Sequence, residues 1–176
     1  NVVGFVEDEF AAVVRGLEEA VAAHPGAIDA YELNLSCPNV RQGGTEFGAD
    51  LAALRTVVGL ARQASKRPIF VKLSPTLPDI ATAAKAAVDA GADGITVVNT
   101  LPGLVVDLDR RRPVLGFGSG GVSGAAILPI GVLATWKVSR AVSVPIMGLG
   151  GVSSGEEALQ YVVAGASLVG VGTAAL

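Results

Sequence analysis

A chain of 176 residues is long enough to bury one sizeable core, and 51% apolar residues with 23 glycines suit a single α/β domain with many tight turns. A net charge of −3 without a basic stripe argues against nucleic acid as a partner, and one cysteine with one histidine excludes an internal disulfide and speaks against a metal centre. Only 16% of residues are charged, which leaves surface for a partner to cover.

The N-terminus shows no secretory signal pattern. The most apolar stretches, 125–136 and 161–176, are short and broken by Gly, Pro, Ser or Thr, so neither reads as a membrane span. The expectation is a soluble, cytoplasmic protein.

Residues 2–6 are an apolar run without helical period and read as a strand. Phe10, Val13, Val14, Leu17 and Val21 recur at helical spacing, with Asp8 as the expected N-cap and Pro25-Gly26 as the stop. From Tyr31 to Ser36 apolar and polar residues alternate, so Tyr31, Leu33 and Leu35 share one face and Glu32, Asn34 and Ser36 the other. Pro38 closes this strand and biases Cys37, the only cysteine, towards an extended conformation at its tip. A glycine-bearing loop over 41–48 leads to a helix capped by Asp50, with Leu51, Leu54, Val57, Val58 and Ala61 inward.

Residues 68–73 form the next expected strand, closed by Ser74-Pro75. Asp79 caps a helix carrying Ile80, Ala83, Ala84, Ala87 and Val88. Residues 94–99 read as a strand with Asn99 and Thr100 at its tip, and 101–124 as a long loop rich in Gly and Arg. The run Arg110-Arg111-Arg112 within it reads as a solvated loop in preference to a docking site. A helix is expected over about 125–141, with Pro129 tolerated near its start. A strand at 145–148 runs into Gly150-Gly151, and Ser153 or Ser154 caps a helix through Leu159, Val162 and Val163. The last strand, 168–171, ends in Gly172-Thr173.

Strands alternate with helices and are apolar on both faces, which calls for a parallel sheet with helical crossovers. Polar or glycine residues gather at the C-terminal ends of successive strands, at Cys37, Ser74, Asn99, Gly151 and Thr173. A doubly wound sheet concentrates its site at one switch point, whereas a barrel equips many strand ends. The fold class is therefore an α/β (β/α)8 barrel. Only about six strands are legible where a closed barrel has eight, so it is an incomplete one. The expectation is one incomplete barrel domain over 1–176, with no helix after its last strand.

Gly116 to Gly121 has the spacing G-x-G-x-x-G, but an Arg-rich loop precedes it instead of a buried strand, so it is not a dinucleotide fingerprint. Gly150-Gly151 and Gly172-Thr173 end what would be the last two strands, where barrels expose backbone amides to a phosphate. Lys72 lies within an apolar run, and two readings stand for it: a structural pair with Glu32, or a charge beside a bound anion. Two readings stand for Cys37 as well: a quiet buried thiol or, at the rim beside Asn34, Ser36 and Asn39, a candidate base. Moving its pKa from about 8.5 towards neutrality takes roughly 2 kcal/mol per 1.5 units. Asn34, Asn39 and Asn99 offer donors and acceptors together, suiting a planar substrate with carbonyls and ring amides.

The segments Glu-Leu-Asn-Leu-Ser-Cys-Pro-Asn (32–39), Val-Lys-Leu-Ser-Pro (71–75), Asn-Thr-Leu (99–101), Gly-Gly-Val-Ser-Gly (120–124), Gly-Gly-Val (150–152) and Gly-Ala-Ser-x-Val-x-Val-Gly-Thr (165–173) resemble class 1 dihydroorotate dehydrogenases. Asp107-Leu108, Arg112-Pro113 and the Gly-Gly-x-Ser-Gly form look like the class 1B branch, which passes electrons to NAD through an FAD and iron–sulfur subunit. The membrane-linked class 2 uses a serine base, so Cys37 argues against it.

The resemblance implies that the chain holds about strands three to eight of the barrel and lacks N-terminal strands and the C-terminal helix. It implies FMN as cofactor, dihydroorotate as substrate and a homo-oligomer at full length, and no metal is expected. It implies that Cys37 removes the C5 proton and that Lys72 stabilises the reduced flavin. Asn34, Asn39, Asn99 and Thr100 would hold the pyrimidine. Lys72, Asn99, Gly121, Ser123, Gly150, Gly151, Gly172 and Thr173 would hold FMN. The rivals are a dihydropyrimidine dehydrogenase-like barrel acting on uracil and dihydrouracil, and a flavin-binding barrel without catalysis.

Overall fold

Five strands pair side by side in the order in which the chain makes them: β1 (Tyr31–Asn34), β2 (Ile69–Leu73), β3 (Gly94–Val97), β4 (Ile146–Leu149) and β5 (Leu168–Gly170). All four pairings are parallel. These elements come from a computed structural model, which describes residues 1–24, 26–36, 38–39 and 45–175. Five helices accompany them: α1 (Glu7–Val21), α2 (Leu51–Ala64), α3 (Ile80–Asp89), α4 (Leu128–Ser139) and α5 (Gly155–Val163).

Each helix packs on the next, α1 on α2, α2 on α3, α3 on α4 and α4 on α5. A sequentially ordered parallel sheet behind one row of helices is the wall of a barrel. A doubly wound sheet would reverse its order and carry helices on both faces.

The core lies between sheet and helices. Leu33, Leu35, Ile69, Val71, Leu73, Ile95 and Val97 point outward from the wall and are fully buried against Phe10 and Val14 of α1, Leu54, Val57, Val58 and Ala61 of α2, and the alanines of α3. Phe10 and Phe47 meet edge to face at 5.3 Å. The alternate residues face the barrel interior. Because the side-chain period of a strand is two, the register sets Asn34 beside Lys72, Lys72 beside Thr96, and Thr96 beside Met147 in one inner row.

The caps explain where the helices start. Asp50 accepts from the amides of Ala52 (2.8 Å) and Ala53 (3.2 Å), and Asp79 from those of Ala81 and Thr82 (both 3.1 Å). Of the two serines offered for α5, Ser154 is the N-cap, accepting from the Glu157 amide at 3.3 Å.

Several expectations are corrected. Residues 2–6 do not form a strand: Val2 alone pairs, in a parallel bridge to Leu33. The chain then turns into α1, whose N-cap is Val6 and not Asp8. Glu9 causes this by reaching back to accept from the amides of Phe5 (2.6 Å) and Val6 (3.3 Å). Val13 is 41% exposed, off the buried stripe.

The stretch 101–124 is not a loop without structure. Leu101–Gly103 pairs antiparallel with Gly120–Val122, and Val106–Asp107 with Arg112–Pro113. The Asp107 carboxylate accepts from the amides of Asp109 and Arg110 and so closes the tighter ribbon. The helix expected from 125 opens as a 3-10 turn, Ala125–Ile127, and becomes α-helical at Leu128. On α5 the inward residue is Tyr161, fully buried, whereas Leu159, Val162 and Val163 are at least half exposed.

Candidate active site

A cleft of about 220 Å³ opens at the C-terminal ends of β2 to β5. β2 contributes Lys72, and the chain after β3 contributes Val98, Asn99 and Thr100. Ser123 and Gly124 line it just before the 3-10 turn. Gly150 and Gly151 enter from the end of β4, and Gly172 and Thr173 from the end of β5. Among the expected site residues, Lys72, Asn99, Thr100, Ser123, Gly150, Gly151, Gly172 and Thr173 therefore meet around one space.

The strand ends are fastened to each other. The peptide between Val97 and Val98 is cis; beyond it the Val98 amide donates to Leu149 O and the Asn99 amide to Leu73 O, both at 3.0 Å. The Asn99 Nδ2 donates to Asn34 Oδ1 at 3.1 Å, which also accepts from the Ser36 amide at 3.2 Å. Asn34 does not line the cleft but is coupled to it through Asn99. Asn99 Oδ1 accepts from the Thr100 amide at 2.9 Å, so both carboxamides are held in fixed orientations.

Gly121 does not itself line the cleft. It pairs with Pro102, and a Cβ placed on it would stand 2.3 Å from Thr100 Oγ1, so its lack of a side chain makes room for Thr100. Ser74, noted at the end of β2, is buried and bonded to Glu46 and Thr76, a structural knot outside the cleft. Cys37 lies outside the described residues. Of Asn39 the backbone is described, and it pairs antiparallel with Thr45.

Lys72 is mostly buried, its side chain 16% exposed, and its Nζ stands 4.0 Å from Glu32 Oε1, the outer limit of an ion pair. That oxygen also accepts from Asn1 Nδ2 at 2.6 Å. The ammonium thus stands in the cleft wall, and among the described residues its one counter-charge is this carboxylate at the limit of pairing distance. Two hydroxyls, Ser36 Oγ and Thr96 Oγ1, are buried with no hydrogen-bond partner among the described residues. Thr96 shares the inner row with Lys72.

The glycine loop after β4 is shaped by backbone constraint. Gly150 and Gly151 have φ of +124° and +73°, which L side chains rarely adopt. A Cβ on Gly151 would fall 2.8 Å from Leu128 N and 2.9 Å from Gly124 O, so this loop lies directly on the start of α4. Among the described residues the Gly151 amide donates to no other group. A Cβ on Gly172 would meet nothing within 4 Å. Two glycine turns edging one space, one with an unpaired amide, form a cradle fit for a phosphate.

Tyr161 was not singled out from the sequence. Its hydroxyl donates to Gly150 O at 2.7 Å, and burial pushes its pKa up to about 12. Its ring occupies space vacated by two glycines: a Cβ on Gly148 would lie 2.2 Å from Tyr161 Cδ1, and one on Gly131 2.0 Å from its hydroxyl oxygen. A glycine inside a strand and another inside a helix are the signals that a bulky ring packs between them.

Among the described residues no cluster of three His, Cys, Asp or Glu side chains could hold a metal ion, and no helix is long and apolar enough to cross a membrane.

The family model for dihydroorotate dehydrogenase matches residues 1–176. Similar relatives include the "Dihydroorotate dehydrogenase B (NAD(+)), catalytic subunit" of Pelobacter propionicus, 45% identical over 99% of this chain and 56% of the relative. The proteins of the same description from Trichlorobacter lovleyi and Geobacillus kaustophilus are 46% and 44% identical over 99% of this chain, covering 56% and 54% of their own lengths. The chain thus spans about half the length of the curated relatives it matches. Among solved structures it resembles dihydroorotate dehydrogenase from Eimeria tenella in complex with ferulenol, with a TM-score of 0.72 at 23% identity, covering 96% of this chain and 48% of that one. That likeness supports the barrel wall.

Proposed function

The chain belongs to the dihydroorotate dehydrogenase family, and from that premise we propose that the full-length protein oxidises dihydroorotate to orotate in pyrimidine biosynthesis, with FMN as its resident flavin. The observation that carries the reading is the convergence of Lys72, Asn99, Thr100 and two glycine turns on one cleft. The unpaired Gly151 amide and the open space at Gly172 suit the phosphate end of FMN, and Ser123 and Thr173 add hydroxyls beside them. Lys72 supplies a fixed positive charge where the flavin ring would lie.

Bound FMN provides the acceptor for the hydride that leaves C6 of dihydroorotate. Cys37, as thiolate, takes the proton from C5, and the C5–H electron pair becomes the C5=C6 double bond of orotate. Asn34, Asn39, Asn99 and Thr100 orient the ring through donors and acceptors without adding charge. Asn34 and Asn99 are suited to this because each holds the other's orientation.

The relatives are named as catalytic subunits, which supports a second subunit that carries electrons away. We propose that it holds FAD and an iron–sulfur centre and delivers electrons to NAD, that the full-length chain forms a homo-oligomer, and that the enzyme works in the cytoplasm.

The test uses the full-length protein under anaerobic conditions. Dihydroorotate should bleach the flavin absorbance, and dihydrouracil should not. Cys37→Ala should retain FMN while the bleaching rate falls by about 10² or more. Bleaching at the parental rate in that variant would remove Cys37 from the reaction, and bleaching by dihydrouracil instead would favour the pyrimidine-reducing alternative.

A further inference from the structure

We infer that Tyr161 is a positioning residue for the flavin phosphate: by holding the Gly150 carbonyl it turns the Gly151 amide into the cleft. This deepens the FMN reading above and rests on it.

The geometry follows from the peptide plane. Gly150 C=O and Gly151 N–H belong to one peptide unit, and in a trans peptide they point in opposite directions. Tyr161 accounts for the first. It is fully buried behind the loop, and its hydroxyl donates to Gly150 O at 2.7 Å. The N–H of the same peptide must then point away from Tyr161, on the side where Gly150 and Gly151 edge the cleft. That N–H has no partner among the described residues, so it is available to an oxygen of a ligand.

The hydroxyl is well suited to hold this position. Burial raises its pKa to about 12, so it remains a donor throughout the physiological range. The ring cannot swing, because it sits where Cβ atoms on Gly148 and Gly131 would be, 2.2 Å and 2.0 Å from its own atoms. It is also held within a small buried cluster with Val152 and Ala166. Without the hydroxyl, two glycines at positive φ have many alternative conformations of similar energy. The peptide unit could then rotate and withdraw its amide from the cleft.

A purely packing role for Tyr161 predicts something different, because phenylalanine would fill the same space. The test compares FMN with riboflavin, which lacks the phosphate, by fluorescence titration of the full-length apoprotein. The parent should bind FMN more tightly than riboflavin. In Tyr161→Phe that preference should shrink about tenfold, through weaker FMN binding, while riboflavin affinity stays within twofold. The 31P resonance of FMN in the holoprotein should shift between parent and variant, a readout that does not need stable apoprotein.

An undiminished FMN preference and an unshifted 31P resonance in Tyr161→Phe overturn the positioning role and leave the phosphate site standing. A parent that binds riboflavin as tightly as FMN overturns the phosphate site itself, and the role of Tyr161 with it.

Discussion

Substituting Gly151 by alanine tests the glycine loop most directly, because two independent costs fall on one methyl group. The first is conformational: φ at Gly151 is +73°, and a side chain in left-handed backbone costs about 1–2 kcal/mol. The second is steric. The new Cβ would stand 2.8 Å from Leu128 N, 2.9 Å from Gly124 O and 2.9 Å from Leu128 Cβ. Two of these three neighbours are backbone atoms at the entrance to α4, which cannot step aside by changing rotamer. The loop must move, and it carries the amide assigned to the phosphate. At 1.4 kcal/mol per tenfold change, the conformational cost alone predicts roughly a tenfold loss of FMN affinity if the loop yields. If the loop holds its shape, the same cost appears as a lower Tm. Gly155→Ala is the control, since a Cβ there meets nothing within 4 Å and the residue opens a helix. Fluorescence titration with FMN and thermal melts of both full-length variants decide the matter. Equal Kd and equal Tm in Gly151→Ala and Gly155→Ala would refute the reasoning.

Two further outcomes follow from charges elsewhere in the chain. Lys72→Met should lower the reduction potential of bound FMN, because a cation near the ring favours the anionic reduced form; a lowered Tm with an unchanged potential would make Lys72 a partner of Glu32 instead. Glu18 should be a source of acid sensitivity, since the Ser65 hydroxyl, at 2.5 Å, and then Tyr31 and Arg67 hold its carboxyl below the ordinary value of 4.5. A depressed carboxyl contributes stability above its unfolded pKa and loses it as pH falls through the folded value, so Glu18→Gln should flatten the fall of Tm between about pH 5 and 3. Melting curves across that range check it, and an unchanged acid limb in the variant would show that Glu18 contributes nothing there.

Much of the wall was legible because burial leaves period and punctuation in the sequence. The alternation from Tyr31 to Ser36 appears in the structure as buried and half-buried residues in turn, and the caps at Asp50 and Asp79 stand where a short acceptor precedes an apolar stripe. What failed was decided by contacts that hydrophobic periodicity does not record. Residues 2–6 are apolar enough for a strand, but Gly4 lies close against Phe10 and Glu9 captures two amides, so a helix begins almost at once. The ribbons within 101–124 are two or three residues long and contain Pro and Gly, too short to show a period of two. On α5 the apolar residues Leu159, Val162 and Val163 marked the helix but not its buried face, because the space opposite is shaped by Gly131 and Gly148 for a ring, and Tyr161 fills it. The cleft residues were found by strand-end chemistry. Gly121 does not line the cleft itself but packs on Thr100, which does.

The two faces of the wall obey different rules, and the difference locates the function. On the outer face Leu33, Ile69, Val71, Ile95 and Val97 are fully buried and wholly apolar, as a face selected for packing should be. On the inner face the register aligns Asn34, Lys72 and Thr96 across three neighbouring strands. Thr96 is fully buried, and its hydroxyl has no partner among the described residues, a defect that costs about 1–3 kcal/mol in a finished core. Lys72 adds a mostly buried ammonium whose carboxylate is 4.0 Å away and already bonded to Asn1. Buried parallel strands usually carry apolar side chains on both faces. The polar atoms stand together in one row leading towards the cleft at the strand ends. A ligand with hydrogen-bonding edges and a negative charge would satisfy them jointly, which is the reading that Lys72→Met tests.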